Sequence, residues 1–342
     1  MFFVKKLACS VMCFAVMSAA SAWATTIDPT NYKKSMTITP ASGKVTTTLE
    51  NFPLLVRLSA VRQSGFDPAK CGTNGEDLRF ALADNTLLAH EIDTWNPTGE
   101  SFVWVNVPSL SSATEIKAYW AVKDSSLAPA VNAAHTWPDF VAVYHLGEGG
   151  HIAYDSSANG YDATNATPST VSAGANPVIG GCVKFTNSKG GSSFFDLGTT
   201  DMADSNAAKP LRDRSVVTFT GWVASDSDEG QSSCMAMFRQ YTGWNDRKGG
   251  FDFRYFPAYP YSGLVINSGA SSADFINWNT DAQYVPSRWY YLTLTVDGAT
   301  AAKYLNGQLL PNKDQGKTGL GNPKTSSHGI LPTTVPTVYQ FG

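Results

Sequence analysis

The chain has 342 residues, of which only 15% are charged, and a formal net charge of −3. With no basic surplus to neutralise a phosphate backbone, the sequence argues against nucleic acid as a partner. Low charge combined with many Gly, aromatic, Thr, Ser and Val residues suits short strands joined by turns, and a chain this long holds about two domains.

The N-terminus starts with Lys5 and Lys6, continues through the apolar run Leu7 to Met17, and reaches the A-x-A pattern Ala22-Trp23-Ala24. This order of basic start, apolar run and small-residue exit reads as a secretory leader over 1–24. The apolar run falls short of the ~20 residues that a membrane-spanning helix needs. Leu7-Ala8-Cys9 lacks the preceding apolar stretch of a lipid-anchoring box. The expected location is therefore secreted, periplasmic or cell-surface, as in a bacterial exported protein. Removing 1–24 takes away two lysines and no acid, so the formal charge of −3 becomes −5. Cys71, Cys182 and Cys234 remain. They allow at most one disulfide, with Cys182–Cys234 the favoured pair and free thiols the alternative. No C-x-x-C or clustered His suggests zinc.

Residues 25–123 read as a β-sandwich. Phe52, Leu54, Val56 and Leu58 alternate with polar neighbours, as do Leu78, Phe80 and Leu82. Phe102 to Val107 is apolar on both faces, the mark of a central strand. Ile116, Ala118, Trp120 and Val122 alternate with Glu115, Lys117 and Tyr119. Turn residues separate the runs at Gly72 to Gly75, Asp84-Asn85, Asn96 to Gly99 and Ser109 to Ser112. Glu91-Ile92-Asp93 has the carboxylate alternation of jelly-roll β-glucanases, whose chemistry needs a facing acid pair. Trp95 stands where the third acid belongs, so a solvated strand face is the preferred reading.

The motifs Phe52-Pro53-Leu54-Leu55-Val56, Glu76-Asp77-Leu78-Arg79-Phe80, Leu88 to Trp95 and Phe102 to Pro108 together resemble the bacterial domain of unknown function 2341. That resemblance implies an exported or surface protein, beside laminin-G-like modules, and supplies no chemistry.

Residues 124–137, rich in Ser, Ala and Pro, read as a linker. Residues 138–342 read as a second β-domain. Val141 to Leu146 forms a strand, followed by Gly147 to Gly150 and Asp155-Ser156-Ser157-Ala158-Asn159-Gly160. This passage resembles the opening of the laminin-G/concanavalin A-like lectin superfamily, and so implies a jelly roll. Gly180 to Phe185 and Ser215 to Ala224 match later strands of that family. The series Arg288 to Tyr291, strand, Asp297-Gly298, strand, Asn306-Gly307, strand carries the resemblance furthest. Asp155 is placed to accept backbone N–H groups of its turn. Calcium is the one cofactor considered, with Asp155 as a ligand, and none is required. Val338 to Phe341 resembles the strand that precedes the family's last strands, which implies a C-terminally truncated jelly roll with an unpaired edge.

Tyr241, Trp244, Tyr255, Phe256, Tyr259, Tyr261 and Trp278 sit among Gly, Pro, Asn and Asp, where flat rings can stack on sugars. The ligand-binding candidates are Trp244, Asn245, Arg247, Tyr259 and Trp278. No nucleophile elbow, zinc-protease helix, phosphate loop or dinucleotide fingerprint is present. The expected function is binding of a glycan or cell-surface ligand by a non-enzyme. The alternatives are an adhesion spacer and a polysaccharide-degrading enzyme or its accessory module.

Overall fold

The structure, a computed structural model, describes residues 2–5, 26–129, 131–164, 171–186, 193–199, 216–224, 235–241, 251–255, 261–266, 274–279, 285, 287–298, 300–309, 324–325 and 338–341. Two compact units emerge. The first comprises Ala8–Asp139 and Ser156–Ala158, and the second Met1–Leu7, Phe140–Asp155 and Asn159–Gly342. Among the described residues the regular structure is strand plus short 3-10 turns, in accord with the all-β expectation. The chain opens with β1 (Phe2–Lys5), which pairs within the second unit.

The first unit holds β2 (Tyr32–Ile38), β3 (Leu49–Leu58), β4 (Arg79–Leu82), β5 (Leu87–Leu88), β6 (His90–Thr94), β7 (Ser101–Leu110) and β8 (Ile116–Val122). They form two antiparallel sheets, β2-β8-β4-β5 and β3-β7-β6. The period of two decides the packing. Val56, Leu58, Val103, Val105 and Val107 from one sheet meet Phe80, Leu88, Ile116, Ala118 and Trp120 from the other, with Phe66 and Leu78 between. Two sheets closed over one apolar layer make a β-sandwich.

Val122 departs from its expected face. It packs beside Ile27, Tyr32, Ala81 and Tyr119, on the far side from Trp120. Ala121 adopts a left-handed φ of 57° and breaks the alternation there. The Val122 N–H then donates to Asp77 Oδ2 at 3.0 Å, while Asp77 Oδ1 accepts from the Gly72 N–H at 2.8 Å. Asp77 is buried and clasps a loop and a strand at once.

The 124–137 stretch is not a free linker. Buried Arg79 donates from Nε to the Pro129 carbonyl at 2.6 Å, and Asn106 Nδ2 donates to the His135 carbonyl at 3.0 Å. Thr136 and Trp137 are buried. Its Ser, Ala and Pro content reads as a linker, and one large aromatic and two backbone carbonyls fasten it to the first unit.

The second unit continues with β9 (Phe140–Tyr144), β10 (Ile152–Ala153), β11 (Ala163–Thr164), β12 (Val171–Ala173), β13 (Val183–Phe185), β14 (Phe195–Thr199), β15 (Val216–Val223) and β16 (Met235–Tyr241). Then come β17 (Phe251–Tyr255), β18 (Tyr261–Ile266), β19 (Asp274–Asn279), β20 (Tyr290–Asp297), β21 (Thr300–Leu305), β22 (Gln308–Leu309), β23 (Lys324–Thr325) and β24 (Val338–Phe341). One sheet runs β22-β21-β20-β15-β1-β9 with β23 on β21, and the other runs β10-β11-β14-β24-β16-β17-β18-β19. Tyr290, Leu292, Leu294 and Val296 face the core as their alternation requires, beside Val141, Tyr144, Val217 and Phe219. The second sheet adds Ala153, Ala163 and Phe195 to the same cluster. At the β21–β22 turn Asn306 and Gly307 both have positive φ, 51° and 80°, as a tight two-residue hairpin demands.

The unpaired edge expected near the C-terminus is not found at β24, which pairs with β14 on one side and β16 on the other. Cys71 and Cys182 are free thiols, and Cys234 lies outside the described residues.

Candidate functional site

The Glu91–Asp93 motif lies on β6 in the first unit, and its carboxylates are tied up by indoles. Glu91 Oε2 accepts from Trp137 Nε1 and Oε1 accepts from Ser156 Oγ, both at 2.6 Å. Asp93 Oδ2 accepts from Trp104 Nε1 at 3.1 Å. The Trp104 and Trp137 rings stand 5.3 Å apart. Two carboxylates that anchor two tryptophans hold a sheet face together. The expected solvated face is in fact covered, because Trp137 returns over it.

Asp155 clasps its own turn. Its Oδ1 accepts from the Val143 N–H at 2.8 Å and its Oδ2 from the Tyr161 N–H at 2.9 Å. Asn159 Nδ2 donates to the Val141 carbonyl at 2.9 Å. Among the described residues no three His, Cys, Asp or Glu side chains gather as a metal cage. Both Asp155 oxygens serve backbone amides, which is the turn-clasping role expected of this side chain.

The second unit's β10–β19 sheet supplies another candidate. Residues paired across neighbouring strands share a face of the sheet. Ala163 and Phe195 are fully buried core positions, whereas their chain neighbours Thr164 and Asp196 are respectively exposed and half-buried. Thr164 and Asp196 therefore mark the outward parity. From them the register carries across the sheet as Thr164–Asp196–Gln340–Arg239–Asp252–Val265–Phe275. Tyr241, opposite Val338, and Arg254, opposite Ala236, have the same parity. So do Asn277, opposite Gly263, and Asn279, opposite Tyr261.

The other parity reads Phe195, Phe341, Tyr339, Phe238, Gln240, Phe251, Phe253, Ser262, Leu264, Ile266, Asp274, Ile276 and Trp278. By register Asp196, Gln340, Arg239, Asp252, Arg254, Asn277 and Asn279 share the outward parity with Val265, Phe275 and Val338, whereas Gln240 and Asp274 share the parity of Phe195.

Of the residues singled out from the sequence, Trp244, Asn245, Arg247 and Tyr259 lie outside the described residues. Trp278 stands opposite Ser262, on the parity of Phe195, between Asn277 and Asn279. The register brings forward Asp196, Gln340, Arg239, Asp252 and Asn277 instead. Their signal was the alternation in Asp252-Phe253-Arg254 and Asn277-Trp278-Asn279, in which polar residues take every second place.

Two family models match the chain. Residues 74–157 match "Domain of unknown function (DUF2341)", and residues 197–329 match "Concanavalin A-like lectin/glucanases superfamily". The order is the one the sequence motifs implied. None of the curated proteins matches.

Among solved structures, the carbohydrate binding module CBM66 from Bacillus subtilis is 11% identical, with 36% of this chain and 73% of that chain covered, at a TM-score of 0.23. The CBM40 of a Ruminococcus gnavus IT-sialidase, bound to alpha2,3 sialyllactose, is 11% identical over 42% of this chain and 84% of that one, at 0.26. Trypanosoma rangeli sialidase is 17% identical over 77% of this chain and 41% of that one, at 0.30. These likenesses are loose. Among the described residues no helix is long and apolar enough to cross a membrane.

Proposed function

We propose, for a chain that carries a DUF2341 segment followed by a concanavalin A-like domain, that it is an exported binding protein that holds a carbohydrate on the outward face of the β10–β19 sheet. The observation that carries this reading is the polar row Asp196–Gln340–Arg239–Asp252, which runs on into Val265 and Phe275, with Asn277 and Asn279 further along β19 on the same parity. Carboxylates, amides and guanidinium groups are the planar donors and acceptors that paired sugar hydroxyls require. Tyr241 and Tyr261, on the same parity, are residue types on which a sugar ring can stack.

Binding is favoured over hydrolysis by spacing. Asp196 and Asp252 are three strands apart in the row, roughly 14 Å at ordinary strand spacing. Glycosidase acid pairs stand about 5–9.5 Å apart. Export rests on the leader pattern of 1–24 and agrees with the acidic, weakly charged surface.

A glycan array with purified protein tests the reading. Selective binding that is lost in Arg239→Ala and in Asp252→Ala supports it. Reducing ends released from a bound polysaccharide would make the protein an enzyme, and adhesion to cells without glycan binding would make it a spacer.

A further inference from the structure

The register gathers the positive charge of the outward parity on one pair of strands, β16 and β17. Arg239 stands opposite Asp252, and Arg254 stands opposite Ala236. Asp252 is thus directly across from one arginine and two residues along β17 from the other, about 7 Å at ordinary strand rise. The other acid placed on this parity, Asp196, lies two strands from Arg239, about 9.6 Å, in a row with Thr164 and Gln340. Among these register positions one acid therefore answers two arginines, and one positive charge is left in excess.

The row through Arg254 is built from small residues. Ala236 is its neighbour on β16. On the other side the β17–β18 register pairs Phe253 with Leu264, so its next step brings Gly263 beside Arg254. Gly263 pairs in turn with Asn277. A methyl group on one side and a bare glycine on the other leave the arginine as the one long side chain in the row before the Asn277 amide. The adjoining row carries Val265 and Phe275 on the same two strands, β18 and β19. Charge and apolar surface therefore stand in neighbouring rows, the two features that an acidic sugar presents in its anionic group and its C–H face.

We propose, resting on the carbohydrate site described above, that the ligand is an acidic glycan and that Arg254 takes its anionic group, a carboxylate or a sulfate. A guanidinium offers two parallel donors to either oxyanion. The chain as a whole has a formal net charge of −3, so attraction to an acidic ligand has to come from a local surplus of this kind. Asn277, next in the row, is a residue type that bonds an adjoining hydroxyl.

The test is an array of neutral oligosaccharides beside their uronate and sulfated counterparts, probed with the purified full chain, with Arg254→Gln and with Arg254→Lys. The native sequence is expected to bind uronate or sulfated members about tenfold more tightly than matched neutral ones, and to lose that preference as salt is raised. Arg254→Gln should abolish the preference at an unchanged melting temperature, and Arg254→Lys should keep part of it. Whether uronate or sulfate responds identifies the anionic group. Equal binding of acidic and neutral members by the native sequence overturns the proposal and leaves the carbohydrate site standing, as does an acidic preference that survives in Arg254→Gln. Binding to no member of the array overturns both.

Discussion

Acidification should weaken the first unit through one side chain, His90. The imidazole is buried on β6, 5.2 Å from the Phe80 ring, with Nδ1 3.4 Å from the Leu88 carbonyl oxygen. Burial, aided by the nearby Arg79 charge, pushes its pKa from 6.5 down to about 4. The folded chain keeps the ring neutral while the unfolded chain protonates it below the ordinary value. Stability is therefore intact above pH ~6.5, declines as the pH falls from there to ~4, and levels off below. The full effect is about 3 kcal/mol. Urea denaturation at a series of pH values, followed by tryptophan fluorescence, should show this slope in the native sequence. His90→Leu should lose most of it, because an apolar side chain in that place has no proton to gain. An equal slope in both proteins between pH 6.5 and 4 would refute the reasoning.

Three other substitutions probe the same unit. Asp77→Ala strips the acceptors from the Gly72 and Val122 amides and should cost about 2–4 kcal/mol, with Asp77→Asn intermediate, as read from denaturation midpoints. Ala121→Gly relieves a φ of 57° and should raise stability by about 1 kcal/mol, whereas a lowered melting temperature would contradict that account. Glu91→Ala removes the acceptor shared by Trp137 and Ser156 and should destabilise by about 1–3 kcal/mol. It should leave glycan binding unchanged, and selective loss of binding would return the motif to the functional site.

Strand positions were legible wherever one face is buried. Tyr290 to Val296 and Phe52 to Leu58 alternate in sequence because one side of each meets the core, and the structure orients them accordingly. Val122 was misread because a single left-handed residue, Ala121, is not visible in hydrophobic pattern. Within the 124–137 stretch, composition reports average polarity and hides the burial of one tryptophan. Glu91 and Asp93 were separated from catalysis by the missing third acid, but nothing local announced that Trp137 and Trp104 would cover them. The candidate site was only half legible. Alternation in Asp252-Phe253-Arg254 is local, but the row that unites Asp196, Gln340, Arg239 and Asp252 depends on pairing between strands more than 100 residues apart in the chain.

The central claim, that the outward parity of the β10–β19 sheet binds carbohydrate, is tested most directly by comparing substitutions of opposite parity on one strand. Asn277→Ala and Ile276→Ala are adjacent on β19 but belong to different faces by register. Calorimetric titration with the best glycan from the array should show Asn277→Ala weakening binding with the melting temperature unchanged. Ile276→Ala should lower the melting temperature and leave the affinity of the folded protein intact. Full affinity in Asn277→Ala, Asp252→Ala and Arg239→Ala alike would contradict the account.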